Sequence, residues 1–540
     1  MNRKHVVVIG AGPGGLTAAM LLAHRGFRVT LVEKESNVGG RSRELRLGDY
    51  SFDTGPTFLH QKFVLDEMFG EVGRRSEDYL DFVKLNPMTR LTWGGKSLHT
   101  YPTREQMEAE VERVFPGQGE GYRRFMADHE KKLRDIYPVL QRPYASLSSY
   151  FSPLLLKSLQ YIMTRQSVFD VLGDYFDDER LRLAFTFQAK YLGMSPWKCP
   201  ALFSILAYTE YEFGIFHVQG GLCRISQAMA DVVEEEGGTI RLNSEVAEIL
   251  QTGRRMTGVK LTTGEIIEAD DVVVNADFAH AMTSLLNGRS ITPEKMRKRS
   301  FSCSTFMLYL GVDKLYENEP HHHVLFADDY EQNVRDIQSE QKISDDMSIY
   351  IRNSSVTDPE VAPEGHSALY ILVPTVNRRH DQDWESFQRE YRDKVIARIE
   401  NETSMSDLSD HIVEEKVLTP AHWEESGIFM GATFNLSHNL GQMLYLRPHN
   451  RYQGFDNCYL VGGGTHPGSG LPTIYESARI STNLICNRHG VDYENVDYAS
   501  DYLSGRARHS GSDGIARPRR SPSVTAKDDG EQEDRVMSST

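Results

Sequence analysis

A glycine cluster with the spacing G-x-G-x-x-G stands near the start of the chain, formed by Gly10, Gly12 and Gly15, with Gly14 inside it. It follows the apolar run 6–9 and opens a helical pattern, which is the context of a dinucleotide site. In that context Gly10 permits the tight turn, Gly12 lets a pyrophosphate approach the backbone, and Gly15 lets helix and strand pack closely. The helix N-terminus then attracts the anion.

A second set of residues continues this site. Glu33 ends the next predicted strand, 18 residues past Gly15, where a carboxylate accepts hydrogen bonds from ribose hydroxyls. Gly39 and Gly40 follow and let the backbone pass close beneath a bulky cofactor, and Arg41 is placed to pair with its pyrophosphate. The glycine motif alone fits NAD or FAD, and this continuation favours a flavin.

The other end of the chain carries a matching signal. Gly462, Gly463 and Gly464 follow an apolar strand pattern, and a helix is predicted to begin around Leu471 to Thr473. The positive end of that helix dipole would point at electron-rich flavin atoms and stabilise the reduced anion. A flavin site therefore uses both ends of the chain.

These residues need elements that hold them together. A β-α-β pattern, an α/β passage and a closing strand and helix predict one discontinuous FAD-binding domain with a parallel sheet, at 1–65, 218–290 and 455–495. Long amphipathic patterns predict a helical insertion at 66–217, acting as a lid or membrane contact. Alternating strand and helix patterns predict a mixed-sheet substrate domain at 291–454. The fold class is therefore α/β, with a Rossmann-like first part.

The helical insertion contains a long predicted helical stretch at 167–193. At the C-terminus, residues 505–540 have almost no large apolar side chains and are predicted to be a disordered tail. No stretch approaches the ~20 apolar residues that span a bilayer. The short apolar run at the start does not resemble a signal peptide, which favours a cytoplasmic protein.

Composition excludes several classes of protein. The formal charge is −16 over 540 residues, with no basic stripe in the body of the chain, which argues against nucleic acid as a partner. The five cysteines lie far apart and predict neither a disulfide framework nor a zinc site. Three consecutive histidines, 321–323, cannot all face one ion, so no metal is predicted.

The chain resembles the FAD-dependent carotenoid (phytoene or diapophytoene) desaturase family, within the amine-oxidase-like flavoprotein superfamily. The resemblance is collinear to about residue 490. It rests on GAGPGGL at 10–16, VGGRS at 38–42, FDTGPT at 52–57, FDDERLRLAFTFQAKYLG at 176–193, VQGGLCRISQAM at 218–229, SVTDPEVAPEGHSALYILVP at 355–374, RPHNR at 447–451 and VGGGTHPGSGLP at 461–472. A glycine-alanine pair of the family stands here as Gly463-Gly464.

The resemblance implies a non-covalent FAD between the first and last motifs, with the adenine held by the backbone of Val246. It implies a long polyene hydrocarbon as substrate, which loses a hydride to flavin N5 and a neighbouring proton to a base. By the same resemblance, the candidates for catalysis are Glu179 and Arg182 in the segment DDERLRLAF, and His466 in the last motif.

An apolar substrate also implies a route to it. The segment 150–216 is dense in large apolar residues, which is typical of a helical core and also of a monotopic membrane contact. We therefore expect a cytoplasmic protein attached peripherally to a membrane. The electron acceptor would be oxygen or a membrane quinone, and the oligomeric state is left open.

Several functions share these motifs. The leading one is desaturation of phytoene or 4,4'-diapophytoene. The alternatives in the same family are a carotene isomerase, a terminal-methyl carotenoid oxidase and a retinol saturase. An amine oxidase would need a polar, aromatic-walled pocket for a cationic nitrogen. A prenyl-binding escort protein of the same fold would bind no flavin and would be colourless.

Overall fold

The computed structural model describes residues 3–145, 151–162, 164–286 and 291–499. The tail predicted to be disordered, 505–540, lies outside the described residues. The described residues form two large sheets and three small ones, together with the helices that pack against them.

The first sheet is parallel and confirms the Rossmann-like prediction. Its strands are short and mostly buried, as expected for strands covered on both faces. Their order across the sheet is Thr239–Arg241, Arg28–Val32, His5–Ile9, Asp271–Val274 and Cys458–Leu460. Three helices pack together beside it, namely Pro13–His24, Cys223–Glu235 and Leu471–His489.

This strand order explains why distant motifs meet. His5–Ile9 pairs on one side with Arg28–Val32 and on the other with Asp271–Val274, and the last strand, Cys458–Leu460, pairs with Asp271–Val274. The carboxyl ends of parallel strands share one edge, so the loops after residues 9, 32, 274 and 460 converge there. A small antiparallel sheet adjoins it, formed by Val246–Thr252, Arg255–Leu261 and Ile266–Glu268.

The second sheet is mixed and has seven strands. Their order is Ile412–Leu418, Ser304–Val312, Ser367–Thr375, Ile349–Asn353, His322–Leu325, Thr89–Trp93 and Lys96–Thr100. The helix Trp384–Glu402 packs its buried residues against one face of this sheet. Because the last two strands lie at 89–100, that part of the predicted helical insertion is wrong: it extends the mixed sheet.

The remainder of 66–217 is mainly helical. Its helices are Lys62–Glu71, which begins just before it, then Arg104–Val114, Gly119–Leu140, Pro153–Ile162, Val168–Leu172, Glu179–Ala184 and Ile205–Phe213. A three-stranded sheet of Leu59–His60, Ile215–Val218 and Phe82–Lys84 joins it to the first motifs. The division of the chain into three domains remains a prediction.

The stretch 167–193 is not one long helix. It forms Val168–Leu172, Glu179–Ala184 and a 3-10 turn, Phe187–Leu192. The first helix ends at Gly173, and the Asp178 side chain caps the second by accepting from the Arg180 amide. Apolar periodicity runs across both helices and hides these breaks, because a capping aspartate also looks like a solvated helix position.

The remaining short elements close the structure around these sheets. They are the hairpin Glu44–Leu47 and Tyr50–Asp53, and the helices Phe278–His280, Pro293–Arg297, Tyr330–Arg335 and Pro420–Glu425. Among the described residues, none of the helices is both long enough and apolar enough to cross a bilayer.

Candidate active site

A cavity of about 940 Å³ runs between the two sheets. This is at the upper end of the range for small-molecule sites. We call its two parts the dinucleotide half and the apolar half. The dinucleotide half is lined by Gly10, Gly12 to Gly14, Glu33, Gly40 to Arg43, Ser244 to Val246, Gly462 to Thr465 and Ser469 to Ile474. The apolar half is lined by Phe58, His60, Phe187, Gln188, Leu192, Leu206, Thr209, Glu210, Val324, Ile349 and Tyr350.

The glycine loop is as tight as its spacing predicts. Gly10 has a φ of +94°, a left-handed conformation that favours glycine. A Cβ on Gly15 would lie 2.0 Å from the Gly10 carbonyl oxygen, so helix and strand could not pack. The Asn275 amide donates to that same oxygen at 3.2 Å. Asn275 follows the strand DVVV and is a wall residue that the sequence reading missed.

The second glycine pair packs onto the first loop. Gly39 has a φ of +112°, and its amide donates to the Ala11 carbonyl at 2.8 Å. A Cβ on Gly40 would lie 3.1 Å from the Gly12 Cα. Gly40 lines the cavity, whereas Gly39 and Gly15 do not. Those two therefore shape the loop without facing the cavity.

Arg41 places a positive charge on the cavity wall. It donates to the Thr433 carbonyl at 2.7 Å, and among the described residues it forms no ion pair. Burial lowers the pKa of its guanidinium, and the Asp277 carboxylate opposes that shift. A half-buried cation on the cavity wall, without an ion-pair partner among the described residues, is suited to an anionic ligand, so this position fits a pyrophosphate.

Glu33 is held rigidly at the end of the second strand. One carboxylate oxygen accepts from the Ala11 amide at 2.6 Å and the other from the Glu35 amide at 3.0 Å. Each oxygen keeps a second lone pair for a ribose hydroxyl. Val246 begins its strand and also lines the cavity. Both positions fit the predicted contacts to the adenosine part of FAD, which stay predictions.

The last motif closes the dinucleotide half. Gly463 and Gly464 line it, and the helix Leu471–His489 begins at the wall with Leu471 and Thr473. The Thr473 hydroxyl donates to carbonyl oxygens of the preceding loop, one of them Ser469 at 2.9 Å. A helix N-terminus facing the cavity fits the predicted stabilisation of a reduced flavin.

A buried arginine fixes this last loop. Arg447, in the RPHNR motif, donates to the carbonyls of Gly463 at 2.6 Å and Thr465 at 2.9 Å. Burial lowers its pKa to about 9. Its donors are used on backbone oxygens, so it holds Gly463 in place and is a positioning residue.

None of the three residues proposed for catalysis lines the cavity. Glu179 is exposed in the first turn of its short helix. Arg182 donates to the Phe176 carbonyl at 2.7 Å and its guanidinium lies over the Phe169 ring, so it ties its own helix to the preceding turn. The structure corrects the predicted placement of both.

His466 is also turned away from the cavity. It is buried, its Nε2 hydrogen-bonds the Arg142 carbonyl at 2.9 Å, and its ring packs edge-on against Tyr144. Burial lowers its pKa to about 3, so the ring is neutral. His466 joins the last motif to the loop after helix Gly119–Leu140, and these contacts fit a loop-stabilising role.

The three consecutive histidines have three different sets of partners. His321 bonds the Thr357 hydroxyl at 3.0 Å, His322 bonds the Tyr350 hydroxyl at 2.8 Å, and His323 pairs with Glu319. Among the described residues no group of three or more His, Cys, Asp or Glu side chains is arranged to hold a metal ion.

The apolar half contains one carboxylate that the sequence reading missed, Glu210. Its residue is fully buried, and burial raises its pKa to about 8. It lies in the segment AYTEYEFG, where it reads as one of two acids on an amphipathic helix. Only the packing of the helix Ile205–Phe213 shows which of the two faces the cavity.

Comparison with known proteins agrees with this geometry. The family model for flavin containing amine oxidoreductases matches residues 13–486. A 4,4'-diapophytoene desaturase (4,4'-diapolycopene-forming) of Methylomonas sp. is 50% identical over 92% of this chain and 98% of its own length. An all-trans-zeta-carotene desaturase of Myxococcus xanthus is 38% identical over 90% of this chain and 94% of its own.

A solved structure supports the fold. An oxidoreductase from Methanosarcina mazei superposes with a TM-score of 0.58 at 17% identity, covering 88% of this chain and 98% of that one. The family matches confirm FAD as the cofactor. The chain belongs to the FAD-dependent carotenoid desaturase family, within the flavin-containing amine oxidoreductases.

Proposed function

We propose that this protein is an FAD-dependent desaturase that introduces double bonds into an acyclic carotenoid precursor, with 4,4'-diapophytoene as the first candidate and phytoene as the second. One observation carries the proposal: a single cavity joins the dinucleotide half, built from FAD motifs, to a half lined mainly by apolar side chains. The relative that is half identical over nearly the whole chain acts on 4,4'-diapophytoene by its name, which favours the shorter substrate.

The dinucleotide half binds and orients the cofactor. Arg41 would neutralise the pyrophosphate, Glu33 would accept hydrogen bonds from the ribose hydroxyls, and the N-terminus of helix Leu471–His489 would stabilise negative charge on the reduced flavin. When bound, FAD supplies the two-electron oxidant that accepts a hydride from a substrate carbon. The glycines at 12 and 40 keep the two loops close enough to seat it.

The apolar half excludes water from the reacting carbons. Phe58 lies between the His60 and His322 rings, with centroid distances of 5.5 and 4.2 Å, and forms part of the wall with Tyr350. The Tyr350 hydroxyl is occupied, since it bonds Thr57 at 2.7 Å and His322 at 2.8 Å. Side chains whose polar atoms are already paired present an apolar surface to a hydrocarbon.

We also propose that the protein takes its substrate from a membrane surface and returns the electrons to oxygen or a membrane quinone. Four large apolar side chains support a surface contact: Phe151 and Leu156 are 77% and 51% exposed, and Leu440 and Leu446 are 47% and 55% exposed. The second pair lies outside the predicted segment 150–216. Peripheral attachment needs such side chains, because the charge of −16 disfavours attraction to anionic lipid.

The experiment is expression in two hosts, one accumulating 4,4'-diapophytoene and one accumulating phytoene, followed by pigment analysis. We expect longer conjugated polyenes in the first host, and the purified protein to be yellow from bound FAD. Unchanged pigments in both hosts would point to another activity of the family. A colourless protein that binds no added FAD would contradict the assignment as an enzyme.

A further inference from the structure

Glu210 occupies the side of its helix that faces the cavity. In Ile205–Phe213, the residues Leu206, Thr209 and Glu210 line the cavity, and their spacing of three and four places them on one face. The opposite face packs elsewhere: Tyr208 lies near His129, and Glu212 pairs with Arg104. The helix therefore presents a single carboxylate to the apolar half.

Within the described part of the chain, this carboxylate is buried without a hydrogen bond or an ion pair that would offset the loss of hydration. Its residue is 0% exposed, and among the described residues neither of its oxygens has a hydrogen-bond partner of good geometry. The nearest basic atom is His60 Nε2, at 4.0 Å from one oxygen. A buried acid without such partners costs stability, and a carboxyl group of this kind on a cavity wall is a candidate for function.

The groups around Glu210 leave it close to neutral at rest. Burial lowers the pKa of His60 to about 4, so His60 carries no charge. Burial raises the pKa of Glu210 to about 8, and it outweighs Gln188, from the turn Phe187–Leu192, which acts in the opposite direction. Tyr211 on the same helix has its pKa raised by burial, and Tyr122 of helix Gly119–Leu140 packs on Tyr211. No cation among these groups pairs with Glu210.

We propose that the Glu210 carboxylate is the catalytic base, which accepts the proton that leaves the substrate during desaturation. This proposal rests on the function proposed above. The electron balance is simple: one carbon loses a hydride, whose two electrons reduce FAD, and the neighbouring carbon loses a proton to Glu210 Oε. The electron pair of that second C–H bond becomes the new double bond. The proton then leaves to solvent.

The surroundings suit this step. Positive charge develops on the polyene when the hydride leaves, and a carboxylate beside it stabilises that charge most where water is excluded. The same charge lowers the pKa of the neighbouring carboxyl group toward its ionised form. Since the base form is required, turnover should rise with pH and level off above the pKa, with about one molecule in ten ionised at pH 7.

The test uses holoenzyme with FAD and the precursor in vesicles of neutral phospholipid. Glu210→Gln keeps the shape of the side chain and removes the base. We expect it to retain FAD, to lose turnover at least about 100-fold, which is the usual contribution of general base catalysis, and to lose the rise with pH. Glu212→Gln, two residues along the helix and facing Arg104 instead of the cavity, is the matched control and should behave as the unaltered protein.

A second readout does not depend on activity. Infrared difference spectra between pH 6 and pH 10 should show a carboxylic C=O band that disappears with a midpoint near 8, and Glu210→Gln should remove part of it. Glu67, whose pKa burial also raises to about 8, accounts for the part that remains. If Glu210→Gln does not fold, Glu210→Asp replaces it, because this change shortens the side chain by one methylene and keeps the carboxylate. Glu210→Asp should lower turnover and shift the pH midpoint of the infrared band.

The outcomes separate cleanly. If the unaltered protein converts no precursor in either host, the proposed function fails, and the infrared result still decides whether Glu210 is a protonated buried acid. If the unaltered protein is active and Glu210→Gln matches it in turnover and pH profile, Glu210 is not the base. Loss of turnover with retained FAD and loss of the pH-dependent rise support the proposal.

Discussion

The two halves of the cavity are built on opposite principles. The dinucleotide half uses backbone: tight glycine turns, strand ends at one edge of a parallel sheet and a helix N-terminus, with Arg41 and Glu33 as its main charged side chains. The apolar half uses side chains from segments far apart in the chain, among which Glu210 is a buried carboxylate. The first half recognises its ligand by hydrogen bonding and charge, and the second by shape and exclusion of water.

This difference determines which substitutions should disrupt each half. The dinucleotide half should be destroyed by adding atoms, because its loops are in backbone contact. The apolar half should instead respond to the ionisation of its buried acid, Glu210, because that acid is held at a cost in stability. The predictions below test that contrast, beginning with the largest expected effect.

Gly15→Val should abolish folded flavoprotein. The new Cβ would lie 2.0 Å from the Gly10 carbonyl oxygen, so the first strand and helix must separate. We expect a loss of at least about 4 kcal/mol in unfolding free energy, measured by denaturant unfolding, and no flavin absorbance. Gly441→Ala is the control, since its nearest contact is a side-chain oxygen at 3.3 Å. A stable yellow Gly15→Val protein would mean that the loop is wrongly placed.

Glu210→Gln should raise stability in a pH-dependent way. Because the folded-state pKa, about 8, lies above the ordinary 4.5, the unaltered protein loses stability as pH rises from 4.5 to 8. The variant does not share this loss, so its advantage in Tm should grow over that range and stay constant above it. The largest difference in unfolding free energy that this pKa shift can produce is about 5 kcal/mol. An equal Tm difference at pH 5 and pH 9 would contradict a raised pKa.

Arg41→Ala should weaken FAD binding while leaving the apolar half intact. Loss of a charge-assisted hydrogen bond costs about 1.5–3 kcal/mol, which corresponds to about 10- to 100-fold in Kd for FAD. Titration of apoprotein with FAD by flavin fluorescence measures it. Arg46→Ala is the matched control, because Arg46 is exposed and pairs with Glu44. Equal Kd values for the two variants would remove Arg41 from the pyrophosphate site.

The smallest expected effect concerns the surface. Replacing Leu440 and Leu446 with serine should weaken binding to neutral phospholipid vesicles about tenfold, since each exposed leucine loses apolar area to bury. Sedimentation with vesicles measures this, and FAD content should not change. Ile266→Ser, which alters an equally exposed residue on the small antiparallel sheet, is the control. If both variants bind alike, the membrane contact lies elsewhere.

The same contrast explains what could be predicted from sequence. The glycine loop, Glu33 and Arg41 lie within a short stretch of the chain. A tight turn requires glycine, and contacts to ribose and pyrophosphate require an acid and a base, so the residue types and their spacing predict this part of the site. The strands at 89–100 could not be predicted in this way. They form a short hairpin, and it joins the mixed sheet only because Thr89–Trp93 pairs with the distant strand His322–Leu325. Glu210 was missed for a related reason: Glu210 and Glu212 differ only in which face of the helix packs on the cavity.

The candidates for catalysis that the resemblance implies differ from the carboxylate that lines the apolar half. The resemblance pointed to Glu179, Arg182 and His466, which belong to recognisable motifs, and the structure gives two of them clear structural contacts, with the Phe176 and Arg142 carbonyls. A sequence motif contains residues that are needed for folding as well as residues that take part in the reaction. Only burial and orientation separate the two, and these arise from packing between distant segments.

One measurement tests the central claim most directly. The purified protein with FAD is mixed without oxygen with vesicles containing 4,4'-diapophytoene, and the flavin and polyene spectra are recorded together. We predict that the visible absorbance of the oxidised flavin bleaches while a longer conjugated polyene appears in equal amount. An oxidised flavin that persists beside unchanged 4,4'-diapophytoene and, in a parallel sample, unchanged phytoene would contradict the account.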